Sequence, residues 1–303
     1  MTYKPILKWI GGKTQILDEL FKIFPKEIND YYELFLGGGS VLFRLLLEVK
    51  NNNIKINGTI NAYDINEPLI YVYKNIQTKY IELYNEIQKI IQEYNDIEIE
   101  NGNKKPLSID DSKTSKESYY YWIRLSYNKL SKEDKKTIIG SSYFIFLNKT
   151  CFRGVFRVGP NGMNVPYGNY KSPEIINLEH LEYINKLIQN VNFECLSYKD
   201  AIKNIKENDF IYMDPPYAPE KETSFVNYTE NGFNMDEHVN LFTKCNELND
   251  KNIEFILSNA DVKLVRDSFT HSNYKIESIK CKRTINSKKP GSKTKEVIIK
   301  NWI

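Results

Sequence analysis

The chain has 303 residues, 41% of them hydrophobic, a length and composition that suit one large catalytic-sized domain carrying a smaller one. Forty-two basic against 39 acidic residues leave a formal net charge of +3, so overall charge barely argues for a nucleic-acid partner. The four cysteines lie far apart and the three histidines form no HxxxH pair, which gives no metal-ligand pattern and predicts reduced, buried thiols of a cytosol-like compartment.

The chain opens Met-Thr-Tyr-Lys-Pro with no apolar run, so no secretion signal is expected and the expected location is cytoplasmic. No membrane span is expected either, because the most apolar segment, Val41–Val49, is short and contains Arg44. Charge is uneven along the chain. Between Lys280 and Lys300 eight basic residues accompany a single acid, Glu296, which reads as a phosphate footprint or as a solvated loop and edge strand.

Ile16, Leu17, Leu20, Phe21 and Phe24 follow helical spacing and stop at Pro25. Residues 31–50 read as strand, glycine turn and helix, with Gly37-Gly38-Gly39 as the turn. Thr59–Asp64 reads as a second strand, Phe210–Met213 as a third and Phe255–Leu257 as a fourth. Strands alternating with helices argue for a parallel α/β sheet, whose ligands bind at the carboxyl ends of the strands.

Residues 66–147 break this alternation and read as helices near 66–92, 116–130 and 133–147, with a mobile polar loop at 95–115. A Gly/Asn/Pro-rich loop over 148–172 follows, carrying Phe152, Arg153, Phe156, Arg157 and Tyr167. The expected division is therefore 1–65 with 173–303 as a catalytic domain and 66–172 as a helical target-recognition domain with a hairpin loop.

The sharpest motif is Asp214-Pro215-Pro216-Tyr217 at the end of an apolar strand. The Asp214 carboxylate and the Pro215 carbonyl offer two acceptors for the two N–H groups of an exocyclic amine, which localises a lone pair otherwise delocalised into a purine ring. The prolines stiffen the turn, and Tyr217 can stack on an extruded base.

Glu33-Leu34-Phe35-Leu36-Gly37-Gly38-Gly39-Ser40 is a glycine turn after a strand, and Asp64 ends the next strand, where an acid suits bidentate bonding to ribose hydroxyls. Lys8-Trp9-Ile10-Gly11-Gly12-Lys13-Thr14 mimics the end of a P-loop but lacks the earlier glycine and the preceding strand. Trp9 reads equally as ligand face or core. His238 and His271 read as surface or capping residues, and Tyr119-Tyr120-Tyr121 as helix packing. Phe225, Asn227 and Tyr228, just past the Asp-Pro-Pro-Tyr motif, read as ordering a loop over an extruded base.

Taken together, KWIGGK (8–13), FLGGGS (35–40), YDIN (63–66), FLNKTCFRGVFRV (146–158), NVPYGNYKSP (164–173), DPPYAP (214–219), LSNAD (257–261) and KCKRTIN (280–286) resemble, nearly end to end, the DNA adenine methylase family, the Dam-like α group of amino-methyltransferases. The resemblance implies a class I S-adenosylmethionine-dependent methyltransferase fold, Rossmann-like and α/β. Its mostly parallel seven-stranded sheet would have one reversed strand from the Lys295–Trp302 region and would carry a helical DNA-recognition insert. It implies methyl transfer from S-adenosyl-L-methionine to N6 of adenine in a short palindromic site of double-stranded DNA, with base flipping; the oligomeric state is left open, a monomer on DNA being one option.

Carried over position by position, it places cofactor contacts at Trp9, Lys13, Phe35, Gly37, Asp64 and Asp214, with Asp214, Pro215 and Tyr217 catalytic. Lys8 matches a lysine that touches guanine, Phe152 an aromatic wedge beside the flipped adenine, and Arg157 an arginine that reads guanine. Two positions depart from the pattern. Leu34 replaces a common Pro, and Arg153 stands where GATC-methylating members often carry Asn. GATC is the first expectation for the site and CATG a rival. An inactive DNA-binding module of the same fold, or a glutamine or RNA methyltransferase, is the alternative. Intact motifs argue against the first, and Asp214 in place of Asn argues against the second.

Overall fold

The computed structural model describes residues 4–98, 102–219, 233–282 and 293–302. Phe225, Asn227, Tyr228 and the basic residues Arg283, Lys288 and Lys289 lie outside the described residues. Packing divides the chain into two compact units, one of Met1–Gly12, Gly37–Phe43 and Asn66–Gln189, the other of Lys13–Leu36, Arg44–Ile65 and Asn190–Ile303.

The second of these holds a seven-stranded sheet. Its strands, in chain order, are β1 (Tyr31–Glu33), β2 (Ile60–Asp64), β3 (Val191–Cys195), β4 (Phe210–Met213), β5 (Glu254–Ala260), β6 (Lys275–Lys282) and β7 (Lys293–Lys300). They lie in the order β6-β7-β5-β4-β1-β2-β3. Every pairing is parallel except those of β7, which runs against both β5 and β6. The reversed strand is thus the one expected from the C-terminal region.

The central strands are buried on both faces, which is why they read as unbroken apolar runs. On one face Ile211, Met213, Phe255, Leu257, Val297 and Ile299 pack with Leu241, Phe242, Cys245 and Leu248 of helix Met235–Asp250. Elsewhere in this unit Phe24 stacks on Phe21 with ring centroids 4.2 Å apart and meets Phe210 edge-on at 5.0 Å. Helix Met235–Asp250 starts at Asn234, whose side chain accepts from the Glu237 amide. This helix, strand Val191–Cys195 and helix Leu178–Leu187 are not among the elements expected from the sequence, although Leu178, Leu181, Ile184 and Leu187 follow helical spacing after the Asn177 cap.

The other unit is built on helices, labelled α1 (Glu67–Asn95), α2 (Lys116–Lys129), α3 (Ile138–Thr150) and α4 (Leu178–Leu187). Asn66 caps α1 and Pro68 occupies its first turn, where a missing N–H costs nothing. Buried residues follow i, i+3, i+4 spacing as Leu69, Val72, Tyr73 and Ile76, then as Leu83, Ile87, Ile90 and Tyr94. Between the two runs Lys79 leaves helical geometry (φ −145°, ψ 38°). Such a break frees carbonyls. Asn185 of α4 donates to Ile76 O and Gln77 O at 2.8 and 2.9 Å, and Gln189 donates to Gln77 O at 3.0 Å.

Two expectations are corrected in this unit. The segment 95–115 is not a featureless mobile loop. Its described part contains a helical turn, Ile109–Ser112, capped by Ser108, and Asn103 donates to both Asp111 carboxylate oxygens at 2.9 Å. The third helix starts at Ile138 rather than 133, because Thr137 caps it after a 3-10 turn over Asp134–Lys136. Within 148–172 a small hairpin pairs Val158–Gly159 with Gly162–Met163. The tyrosine run is packing as read, with Tyr119 and Tyr120 essentially inaccessible.

Candidate active site and DNA-binding residues

Three neighbouring strands of the sheet, β4, β1 and β2, each deliver an acid at the carboxyl end: Asp214 just after β4, Glu33 closing β1 and Asp64 closing β2. The chain order reverses between β1 and β4, and such a switch point opens a crevice. The three acids are therefore a consequence of topology, since nothing local brings residues 33, 64 and 214 together.

Asp214 is paired with Lys13, whose Nζ lies 2.7 Å from Oδ1. Lys13 begins the 3-10 turn Lys13–Gln15 and is 4% exposed, against 19% for Asp214. The P-loop likeness ends here, because Lys13 meets a carboxylate of its own chain. Burial pushes the Asp214 carboxyl up to about 6, with the Lys13 ammonium pulling the other way and keeping it largely ionised at pH 7. Glu33 is 2% exposed. Its burial, with Asp214 and Asp64 as like-charged neighbours, pushes it up to about 8, although the Tyr31 hydroxyl donates to Oε2 at 2.8 Å and favours the ionised form.

The Asp-Pro-Pro-Tyr turn is fastened on its far side. The Ala218 amide donates to Asn259 Oδ1 at 2.9 Å, and the Tyr217 hydroxyl donates to Glu296 Oε2 at 2.8 Å. Lys13 Nζ lies 4.8 Å over the Tyr217 ring. Lys13, Asp214 and Tyr217 are thus brought together. Phe35 stacks on Tyr198 at 5.6 Å and meets Phe233 edge-on at 6.1 Å. Beside Asp64, Ile65 is 53% exposed, an apolar side chain left open at a strand end.

His238 corrects the surface reading. It is 1% exposed, its ring 4.8 Å from Phe233, and burial pushes the imidazole down to about 4, so it stays neutral. Cys195 is exposed rather than buried, while Cys151 and Cys245 are buried as expected. His271 is exposed.

In the helical unit, Trp9 lies against the glycine turn. Gly37 has φ +49°, and a Cβ there would sit 2.7 Å from Trp9 Cδ1. The close approach that demands glycine is therefore made by the indole of Trp9, which also stacks on Phe156 at 6.1 Å.

Lys8 is held through its backbone by Asn148, which accepts from Lys8 N and donates to Lys8 O, each at 2.8 Å. Its ammonium donates to Lys149 O at 3.2 Å and lies 4.0 Å over the Tyr170 ring. Burial, with Lys8 as a like-charged neighbour, pushes Lys149 down to about 8. Phe152 is 47% exposed, an aromatic left open to solvent. Arg153, in the left-handed region at φ +57°, sets its guanidinium 5.1 Å over the Phe152 ring, and its amide donates to the Tyr170 hydroxyl at 2.9 Å.

Arg157 stands on the hairpin and donates from Nε to Asn164 Oδ1 at 2.6 Å. Helix α2 grips that hairpin through Asn128, which bonds both backbone groups of Met163, and through Tyr120 and Arg124, which both donate to Val165 O. Lys8 and Arg153 thus share Tyr170, whereas Arg157 is oriented by Asn164.

A D12 class N6 adenine-specific DNA methyltransferase family model matches residues 9–285. The chain belongs to this family. Three of the relatives it resembles are covered over nearly their whole length. It is 35% identical over 315 residues to the type II methyltransferase M.MjaIII of Methanocaldococcus jannaschii, covering 100% of both chains. It is 30% identical to the type II methyltransferase M1.LlaDCHI of Lactococcus lactis subsp. cremoris, covering 99% of this chain and 95% of that one. It is 28% identical to the DNA adenine methylase of Escherichia coli K12, covering 94% and 90%. The sheet of this D12 protein is that of a class I S-adenosylmethionine-dependent methyltransferase. Among the described residues no helix is long and apolar enough to cross a membrane.

Sequence reasoning passed over four residues of these clusters: Glu33, Asn164, Asn259 and Glu296. Glu33 carried a usable signal, an acid inside an otherwise apolar strand. The others gain their partners only through strand register or hairpin folding.

Left-handed geometry costs a non-glycine residue on the order of 1 kcal/mol, and Asn tolerates it better than Arg. Arg153→Asn is therefore expected to raise unfolding stability by about 0.5–1 kcal/mol, read from denaturant midpoints at unchanged slope. A loss of stability would show that the Arg153–Phe152 contact outweighs the backbone strain.

Proposed function

We propose that this chain transfers a methyl group from S-adenosyl-L-methionine to N6 of an adenine extruded from a short palindromic site in double-stranded DNA, GATC first and CATG as the rival. The observation that carries this reading is the acid-tipped turn at Asp214, held ionised by Lys13 inside a cluster of carboxylates. On this reading residues 66–172 supply target recognition, and 1–65 with 173–303 supply catalysis.

The donor set fits the cofactor. Self-repulsion among Glu33, Asp64 and Asp214 is relieved by a cation, and S-adenosylmethionine is cationic at sulfur and at its amino group. Asp64 suits ribose hydroxyls, Lys13 a carboxylate, and the exposed Ile65 one face of a planar ring. Trp9, Phe35 and Gly37 keep the cofactor roles that the resemblance implies. When bound, the cofactor supplies an electrophilic methyl carbon on a sulfonium leaving group.

The rest falls to the chain. The Asp214 carboxylate and Pro215 carbonyl accept the two amino hydrogens, localise the lone pair and aim it. Once nitrogen has a fourth bond it sheds a proton readily, and Asp214 is the acceptor already hydrogen-bonded to it. Tyr217 stacks on the base. Phe152 fills the space left in the duplex, Arg157 reads a guanine edge, and Lys8 and Arg153 complete the contact.

Asp214→Ala is expected to lower transfer roughly a hundredfold or more while the protein still folds. In the intact chain, transfer should fall as pH drops through about 6, where Asp214 takes up its proton. Mapping methylated bases in DNA from expressing cells gives modification and site together. A methyl group on cytosine, or none on DNA, would overturn the proposal, the latter in favour of an inactive binding module.

Glu33, held protonated at pH 7, should release a proton when the cationic cofactor binds, so affinity should rise with pH toward 8. Calorimetry in buffers of different ionisation enthalpy reads this directly, and heats independent of buffer would remove Glu33 from the cofactor site. Arg157→Ala should cost about 1–3 kcal/mol of discrimination between cognate and mismatched sites, measured by competition binding. An equal loss on all sequences would make Arg157 a phosphate contact.

A further inference from the structure

We infer that Glu296 is a positioning residue for methyl transfer, the acceptor that anchors the hydroxyl end of the Tyr217 side chain and so holds in place the platform on which the target base stacks. The inference rests on the reading of Tyr217 as a stacking residue and adds what holds it in place.

Three observations carry it. The Tyr217 hydroxyl donates to Glu296 Oε2 at 2.8 Å, a bond to a charged acceptor and so stronger than a neutral one. The ring is restrained from a second direction by Lys13, whose Nζ lies 4.8 Å from its centroid while bound to Asp214 at 2.7 Å. Finally, the sheet explains how Glu296 reaches the turn at all. Strand β7 runs against β5, so its first residues, not its last, stand at the end of the sheet where the parallel strands finish.

In that register Glu296 faces Ala260 and Val297 faces Asn259. Asn259 accepts from the Ala218 amide. One pair of strands therefore delivers both restraints on the far side of the turn, one on the backbone at Ala218 and one on the side chain at Tyr217. Had β7 been parallel, its first residues would lie at the opposite end of the sheet.

A phenol needs no carboxylate to remain in a half-buried site. A ring that must offer one face to a purine at a set place does need its far end held, because offset stacking depends on where the two rings lie relative to each other. With Lys13 over one face, the other is the face that a base would use. Burying the carboxylate beside Asp214 is electrostatically unfavourable, since Glu296 opposes ionisation of Asp214. The arrangement is maintained despite that cost, which is expected of a group held for orientation rather than for stability.

The test uses the full-length chain, single-turnover methyl transfer to a duplex, and the variants Glu296→Ala, Glu296→Gln, Tyr217→Phe and the double variant Glu296→Ala/Tyr217→Phe. Tyr217→Phe keeps the ring and removes only the hydroxyl. It is expected to slow transfer roughly tenfold or more, as loss of a hydrogen bond to a charged group implies. Glu296→Ala should slow it equally, with KM for cofactor unchanged, and the double variant should be no slower than either. Glu296→Gln, which keeps an acceptor, should recover most of the rate.

Wild-type rates in Tyr217→Phe, or a double variant whose loss is the product of the two single losses, would overturn the inference. Should Glu296→Ala fail to fold, the Glu296→Gln and Tyr217→Phe pair decides it alone. Asp214→Ala, run alongside, separates the two levels: if it retains transfer, the catalytic reading itself fails. If it abolishes transfer while Tyr217→Phe does not slow it, only the role of Glu296 falls.

Discussion

The buried ion pair between Lys13 and Asp214 is the constraint on which the rest of the site depends. A carboxylate enclosed by protein strongly prefers its neutral form, and a neutral Asp214 is a poor acceptor for an amine hydrogen. Lys13, 201 residues earlier in the chain and almost fully enclosed, offsets part of that cost at 2.7 Å. Such pairs contribute little to net stability, because desolvating two charges consumes most of their attraction. Their value here is chemical: the pair sets the protonation state of Asp214 near neutrality, and Lys13 also lies over the neighbouring tyrosine ring.

Around that pair the sheet concentrates negative charge. Parallel strands all finish at the same edge, so acids at their carboxyl ends accumulate there. Glu33 responds to burial and to its acidic neighbours by holding its proton to about pH 8, even though Lys13 supplies a counter-charge to Asp214. On the proposed reading a cationic ligand would relieve this repulsion and couple its binding to proton release. The reversed strand β7 serves the same edge from the other direction by bringing Glu296 to the Tyr217 hydroxyl.

The helical unit holds several side chains open to solvent or in a fixed direction without letting them collapse. Phe152 stays exposed because Arg153 adopts a left-handed backbone, anchored by Tyr170, and covers only part of its ring. Arg157 keeps a defined direction because Asn164 accepts from Nε, and the hairpin beneath it is pinned to α2 by Tyr120, Arg124 and Asn128. The kink of α1 at Lys79 is tolerated because Asn185 and Gln189 satisfy the freed carbonyls. These contacts are made by polar residues whose sequence neighbourhood looks like ordinary loop.

By itself the sequence determined the strands Ile60–Asp64 and Phe210–Met213 and the glycine turn, because unbroken apolar runs ending in an acid or glycine have few other readings, while the reversed C-terminal strand was legible only through the family resemblance. It also fixed Tyr119 to Tyr121 as packing. It could not determine that Gly37 accommodates Trp9, that His238 is buried and neutral, that 109–112 is helical, or that Asn259 and Glu296 reach the Asp-Pro-Pro-Tyr turn. Those outcomes depend on which strands lie side by side and in which direction. Register and strand polarity are set by packing of the whole sheet, and no local pattern of residues encodes them.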